Sequence, residues 1–370
     1  MKKESIYIAG PECFYKDGPV QLDVMRRRSE SLGFEVTLPN DNPLKLDHED
    51  LRLNADAIFK NCCDSINKST VIITDLEFYR GPEVDGGSVY EIGMAYARGI
   101  RCYGYTRDKR NMVWKYHGGI LKNERMYDKK GRPLPYADLP FSPNVIGSTK
   151  IIEGDYDDCL HTLIVDIEEE RKLAGGRNKL TMSRPDRTLK NIDMPVVFLS
   201  GPERYDEDCE EKYRLMKAIC KRYGLYAIAP IDKAPGVETI ESDDPYTRAY
   251  NIFYRNQQHV RNCDIIIANL NDFHCWEPES DTSFECGMAF QLGKKLYAYM
   301  DDVSIMKERV PNLGEAHEYR DACGCNVENF DYPVNLMFSS SMKIFEGKFE
   351  KIIEQVVMDL DLRIDKYTGV

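Results

Sequence analysis

Ile6-Tyr7-Ile8-Ala9-Gly10-Pro11-Glu12 opens the chain and comes back as Val197-Phe198-Leu199-Ser200-Gly201-Pro202-Glu203. Further on, Tyr90-Glu91-Ile92-Gly93-Met94-Ala95 comes back as Phe284-Glu285-Cys286-Gly287-Met288-Ala289. The offset is 191 residues from Gly10 to Gly201 and 194 from Glu91 to Glu285. An offset held nearly constant along a chain means two copies of one fold.

Within each copy the apolar runs are short and lack polar alternation, as in Val71-Ile72-Ile73-Thr74 and Ile265-Ile266-Ile267-Ala268. Each is followed by a segment with helical spacing, such as Val20, Val24, Met25 and Leu32, or Tyr213, Met216, Ile219 and Cys220. Strands of this kind alternating with helices indicate a parallel sheet covered on both faces. The fold class expected is α/β: two tandem doubly wound, flavodoxin- or Rossmann-like parallel-sheet domains that form a pseudo-twofold dimer. Four strands per copy are expected, at 5–9, 34–38, 71–74 and 101–105 and at 195–200, 225–229, 265–268 and 295–299. Gly33 and Gly224 are expected to end the first helix of each copy. The copies are placed at 1–173 and 194–370, with the polar, glycine-containing stretch 174–193 as a linker.

The 370 residues suffice for two full cores. A hydrophobic content of 42% with 30% charged residues is that of a soluble globular protein. The net charge of −12 argues against nucleic acid as a partner, because a phosphate backbone needs a basic face. It does not argue against a small nucleoside. No apolar run of about 18 residues suggests a membrane span. Met1-Lys2-Lys3-Glu4-Ser5 leads directly into a strand, so no signal peptide is expected. Twelve cysteines without paired zinc spacing are expected to be reduced thiols in a cytoplasm.

In a parallel sheet of this kind ligands bind at the carboxyl ends of the strands. Gly10-Pro11-Glu12 and the loop from Asp75 to Glu91 lie there. The loop ends in Asp85-Gly86-Gly87-Ser88-Val89-Tyr90-Glu91-Ile92-Gly93. Glu91 has two readings. If the helix starts near Ser88, Glu91 is the N3 glutamate of a capping box, Ser-x-x-Glu. Its place after an irregular acidic loop, repeated at Glu285, favours chemistry instead. Tyr7 is a core tyrosine or a phenol aimed at the carboxylate, and Asp85 a turn former or a ligand. Neither a Gly-x-Gly-x-x-Gly nor a P-loop lysine follows the first strand, so no cofactor and no metal are expected.

These blocks, with Asp75-Leu76-Glu77-Phe78-Tyr79-Arg80-Gly81-Pro82-Glu83-Val84 between them and Asn144 beyond, resemble the nucleoside 2-deoxyribosyltransferase family. The second copy is similar through Ser200-Gly201-Pro202, Asn256, Ala268-Asn269-Leu270, Glu285-Cys286-Gly287 and Tyr332-Pro333-Val334-Asn335-Leu336-Met337. The resemblance implies a deoxynucleoside and a free nucleobase as small-molecule partners. Glu91 would attack C1′, displace the base and form a glycosyl ester that a second base then opens, giving net retention. Tyr7 would hold the carboxylate and keep it ionised, and Asp85 the sugar hydroxyls. Asp75 and Glu83 are candidate acids by position, with Asp75 favoured for base contact.

The same resemblance puts Gly10, Pro11, Arg80, Gly87 and Ser88 along the substrate, and gives Gly201, Asn269 and Glu279 the equivalent places beside Glu285. It also implies that Asn335 completes the Glu91 site and Asn144 the Glu285 site, each crossing to the other copy. A homo-oligomer of such pseudo-dimers stays open.

The copies differ around the glutamate. Tyr7 becomes Phe198, Asp85 becomes Glu279 and Gly87 becomes Asp281. Extra acid and a missing phenol are expected to raise the proton affinity of Glu285 and make Glu91 the main site. Two rival functions rest on the same residues. One is hydrolysis of a deoxynucleoside or its 5′-monophosphate. The other is a non-catalytic nucleoside or nucleotide sensor.

Overall fold

A computed structural model of the chain describes residues 3–39, 41, 44–116, 119–122, 125–128, 131–173, 189, 192–315 and 318–360. Most of the expected linker therefore lies outside the described residues.

The first copy runs β1 (Ser5–Ala9), α1 (Gly18–Ser31), β2 (Glu35–Thr37), α2 (Leu51–Lys68), β3 (Val71–Asp75), α3 (Gly86–Ala97) and β4 (Arg101–Thr106). Then come α4 (Met112–Lys115), a hairpin of β5 (Ile120–Lys122) and β6 (Arg125–Tyr127), α5 (Pro143–Ser148), β7 (Lys150–Glu153) and α6 (Tyr156–Leu173). The second copy repeats this order with β8 (Val196–Ser200), α7 (Cys209–Arg222), β9 (Tyr226–Ile228), α8 (Pro245–Asn262), β10 (Ile265–Asn269), α9 (Ser280–Gln291) and β11 (Lys295–Met300). It ends with α10 (Met306–Arg309), the hairpin β12 (Asn312–Glu315) and β13 (Glu318–Asp321), α11 (Leu336–Ser339), β14 (Lys343–Glu346) and α12 (Phe349–Asp359).

Each copy builds one five-stranded, wholly parallel sheet, in the order β2-β1-β3-β4-β7 and β9-β8-β10-β11-β14. This is the flavodoxin-type strand order, whose switch point lies between β1 and β3. The fifth strand and both hairpins go beyond the four strands expected. Gly33 and Gly224 take positive φ (93° and 72°) just past α1 and α7, where a Cβ would be strained.

One face of the first sheet packs on α1 and α6, with Leu22, Tyr156, Leu160 and Leu163 against Ile6, Ile8 and Val71. The other face carries α2 and α3, and its core does not stop at the copy boundary. Tyr7, Ile72, Tyr90 and Ile92 share one continuous apolar cluster with Phe198, Phe253, Phe284 and Phe338.

The two copies meet where α3 crosses α9. A Cβ on Gly93 would stand 2.2 Å from the Phe284 carbonyl oxygen, and one on Gly287 would stand 1.9 Å from that of Tyr90. The glycine two residues past each glutamate is therefore what lets the helices touch backbone to backbone. Among the described residues no helix is long and apolar enough to cross a membrane.

Candidate active site

The carboxyl ends of β1 and β3 and the start of α3 converge on one buried cluster of polar side chains. The Asp85 side chain caps α3: its Oδ2 accepts from the Ser88 amide at 2.7 Å and the Ser88 hydroxyl at 2.6 Å. The helix thus begins at Gly86, not near Ser88, and Glu91 is its sixth residue. That removes the capping-box reading. The Glu91 carboxylate instead accepts from the Tyr7 hydroxyl, Oη to Oε1, at 2.5 Å. Both residues are buried. The other Asp85 oxygen, Oδ1, is buried and has no hydrogen-bond partner.

Burial pushes Glu91 up to about 8 against the opposing pull of the Tyr7 hydrogen bond, and the Asp85 charge raises it further. A glutamate mostly ionised at neutral pH, the sequence expectation, does not describe this closed pocket.

A second acid pair lies at the switch point. Gly10 and Pro11 turn the chain so that Glu12 folds back, fully buried, beside Asp75. A Cβ on Gly10 would meet Glu12 Oε2 at 2.0 Å and the Asp75 Cβ at 3.0 Å. The Tyr105 hydroxyl donates to Glu12 Oε1 at 2.6 Å. Burial first, then the neighbouring Glu12, raises Asp75 to about 8. Burial likewise raises Glu12, so both carboxyls are pushed toward their protonated forms. Glu12 has no role in the sequence reading, although the Gly-Pro-Glu repeat displays it.

Several elements cross between the copies. Asn335, at the start of α11, lays its amide against the α-carbon of Gly87, where a Cβ would lie 2.8 Å from Nδ2. The Glu277 carboxylate accepts from the Gly86 amide at 3.3 Å, and burial raises it to about 8. Glu83 makes the reciprocal crossing. It accepts from the Ser280 hydroxyl at 2.5 Å, and burial, eased by that bond and then reinforced by Glu279 and Asp281, places it at about 8. Its position beside the second copy's helix start removes it from the Glu91 pocket.

Arg80 is turned away from Glu91 as well. With φ at 58°, it sends its guanidinium to Asp321 at 2.8 Å, Glu277 at 3.2 Å and the Asn326 carbonyl at 2.9 Å. It joins the copies and is not free for substrate. Ser88 is likewise spent on Asp85. His274 holds the place equivalent to Arg80 and meets Asp128 Oδ2 at 3.0 Å, so each copy's hairpin region clasps the other copy's loop.

The second pocket has the same frame and different contents. Asn144 crosses from the first copy: its Nδ2 donates to Glu285 Oε1 at 3.3 Å, and its amide donates to Asp281 Oδ1 at 2.8 Å. Glu279 caps α9 as Asp85 caps α3, and also accepts from the Tyr205 hydroxyl at 2.9 Å. Asn269 donates to Glu203 Oε1 at 2.6 Å, beside Tyr299, in the frame that Asp75, Glu12 and Tyr105 occupy in the first copy. Gly201, like Gly10, leaves room for this glutamate to fold back.

The residue that the sequence reading missed is Arg204. Its two terminal nitrogens grip both Glu285 oxygens at 2.8 and 2.7 Å, and the Ser200 hydroxyl donates to Oε2. Cys13 holds the equivalent place in the first copy. Beside the extra acid and the missing phenol, Glu285 thus has a buried positive charge that favours its ionised form. Beyond these contacts, a cavity of about 510 Å³ opens at Glu203, Asn269, Tyr299 and Arg132.

Fold and pockets together define an α/β protein with a buried carboxylate at the mouth of each of two parallel sheets. The chain belongs to the nucleoside 2-deoxyribosyltransferase family, whose model matches residues 6–136 and again 197–337. Among solved structures it is similar to a 2-deoxyribosyltransferase from Leishmania mexicana, at 28% identity over 44% of this chain and 97% of that one, with a TM-score of 0.35. It is also similar to the 2-deoxyribosyltransferase of Bacillus psychrosaccharolyticus, at 17% identity over 43% and 90%, with a TM-score of 0.28. A CMP N-glycosidase from Clostridium botulinum aligns at 12% identity over 44% and 98%, with a TM-score of 0.24. No curated protein matches.

Proposed function

We propose that this chain transfers a 2-deoxyribosyl group from one nucleobase to another through an ester on Glu91. The observation that carries the reading is the 2.5 Å hydrogen bond from Tyr7 to Glu91, in a buried pocket beside the unpartnered Oδ1 of Asp85.

A Glu91 oxygen attacks C1′ while the bond from C1′ to the base nitrogen breaks. The base leaves with that electron pair and takes a proton from the Glu12–Asp75 pair, which burial keeps protonated. Asp85 Oδ1 accepts from a sugar hydroxyl and orients the ring. Tyr7 holds the attacking carboxylate in position and favours its ionised form. An incoming base attacks C1′ from the face the first one left. Glu91 departs as carboxylate, and the proton shed by the new base returns to the acid pair. Two inversions give retention. Asn335 confines the sugar from the other copy's side. The two copies act as one pseudo-twofold unit in the reading's favoured setting, a cytoplasm.

The test is incubation with deoxyinosine, with and without adenine. Deoxyadenosine is expected only with adenine, and Glu91→Gln is expected to reduce its formation by at least about 10³-fold, the scale of losing a covalent nucleophile. Hypoxanthine release at a rate that ignores adenine would replace transfer by hydrolysis, and unchanged transfer in Glu91→Gln would remove Glu91 from its role.

A further inference from the structure

We infer that the second copy has exchanged its nucleophile for an internal ion pair, so that Arg204 closes the Glu285 site and each chain holds one working centre. The inference rests on the transfer reading for Glu91 and adds to it.

Glu285 is 1% exposed, and its two oxygens already carry four contacts. Arg204 takes both in a fork, at 2.8 and 2.7 Å. Ser200 takes Oε2, and Asn144 takes Oε1 at 3.3 Å. A carboxylate has about four lone-pair directions, so none is left to attack a carbon. The fork is itself buried, the Arg204 side chain being 5% exposed. Breaking such a pair to admit a sugar leaves a bare guanidinium and a bare carboxylate out of water, which costs several kcal/mol. In the first copy Glu91 accepts from the Tyr7 hydroxyl and meets the Cys62 thiol, and among the described residues no ion pair reaches it.

Two further substitutions point the same way. Phe198, fully buried at the place of Tyr7, removes the phenol. Asp281, at the place of Gly87, fills with its carboxylate the space that Gly87 leaves for the Asn335 amide. Tyr136 donates to Asp281 at 2.8 Å, and the Asn144 amide donates to it at 2.8 Å. Both Asp281 oxygens and both Glu285 oxygens are thus held, by groups from both copies, while Asn144 Oδ1 stays without a partner. The remaining task of the second pocket is mechanical. It ties the start of α9 to the Asn144 segment of the first copy.

The experiment maps deoxyribosyl esters by peptide mass spectrometry after mixing the full chain with a deoxynucleoside and quenching with acid. In the unaltered chain an ester is expected on Glu91 and none on Glu285. The variant Phe198→Tyr/Ser200→Ala/Arg204→Cys/Glu279→Asp/Asp281→Gly gives Glu285 the neighbours that Glu91 has at these five positions and is expected to gain an ester on Glu285. Labelling of Glu91 in the same molecules reports that the variant is folded. An ester on Glu285 in the unaltered chain overturns the inference, as does a variant that labels Glu91 and never Glu285.

A stability cycle decides the matter without turnover. Arg204→Cys and Glu285→Gln, singly and together, are compared by urea unfolding. The double variant is expected to be more stable, by at least about tenfold in the unfolding constant, than the two single losses added together. Strict additivity would mean that no ion pair closes the site. Loss of the Glu91 ester with the coupling intact would instead count against the transfer reading and leave Arg204 as the closure.

Discussion

Glu91 and Glu285 stand on equivalent turns of α3 and α9, yet one faces a phenol and the other a guanidinium. The difference comes from two positions, Tyr7 against Phe198 and Cys13 against Arg204, and it sets what each carboxylate can do. Glu91, raised to about 8 by burial, is reactive only when ionised. The kcat/KM for transfer is therefore expected to rise with pH up to about 8. Because the Tyr7 hydrogen bond favours the carboxylate, Tyr7→Phe is expected to move that limb upward and to lower kcat by about 10- to 100-fold, the usual worth of one hydrogen bond to a charged group. A pH–rate profile of both proteins measures this. An unmoved limb would mean that the phenol does not tune the nucleophile. Glu91 stood out in the sequence because the repeat returns it as Glu285, whereas Tyr7 and Asp85, which the repeat changes to Phe198 and Glu279, were singled out by the family resemblance. Arg204 was not, because a cation in a polar turn reads as solvated surface and its partner lies 81 residues away. Glu12 was quoted with the repeat but given no role, since only the fold shows it turning back beneath Gly10.

At the scale of elements, the strands and long helices were legible because they are apolar, uninterrupted and present twice. The fifth strands, β7 and β14, are four residues long and half-exposed, so they carry little periodic signal. The hairpin strands are three or four residues long and mostly exposed, and side chains of both hairpins reach the other copy. The crossing of α3 and α9 is where local sequence and tertiary structure agree most closely. Gly93→Ala would drive a methyl into the Phe284 carbonyl, and the backbone there cannot yield as a side-chain tip would. The expected loss is about 3 kcal/mol, at the upper end for overpacking, and urea unfolding measures it. A loss below about 0.5 kcal/mol, as for a surface change, would show that the helices can part cheaply. The same crossing carries the exchange of asparagines. Asn335→Ala, a change in the second copy, is expected to lower transfer at Glu91 by about tenfold or more, on the scale of one lost polar contact to a bound group. Asn144→Ala, its counterpart beside Glu285, is expected to leave transfer nearly unchanged, because Arg204 already closes that pocket. Steady-state rates of the two variants test this directly, and equal losses would contradict the asymmetry.

At the scale of the whole molecule, the two copies share one apolar core and a chain of buried acids along their seam. Burial, as the first cause in each case, raises Asp75, Glu83, Glu91, Glu277 and Glu328 to about 8 and Asp281 to about 7. In the unfolded chain such carboxyls titrate near 4, so between roughly pH 4.5 and 8 the folded protein binds more protons than the unfolded one. The sign follows. These groups stabilise the fold fully below about pH 4, and that contribution is lost as pH rises through 7 to 8. The melting temperature is therefore expected to fall from pH 5.5 to pH 8. The net charge of −12 would give a weaker trend in the same direction through self-repulsion, so one group has to be isolated. Glu328 serves because it accepts from the Leu336 amide at 3.0 Å, a bond that a glutamine oxygen can also accept. Glu328→Gln keeps the contact, removes one titrating proton and changes the net charge by a single unit. The slope of unfolding free energy against pH should then flatten by up to about 1.4 kcal/mol per pH unit, the value for one proton. Urea unfolding at pH 6, 7 and 8 measures both slopes. Parallel slopes would mean that Glu328 is already ionised in the folded seam, and that the Asn335 segment is held beside the Glu91 pocket by a charge and not by a proton.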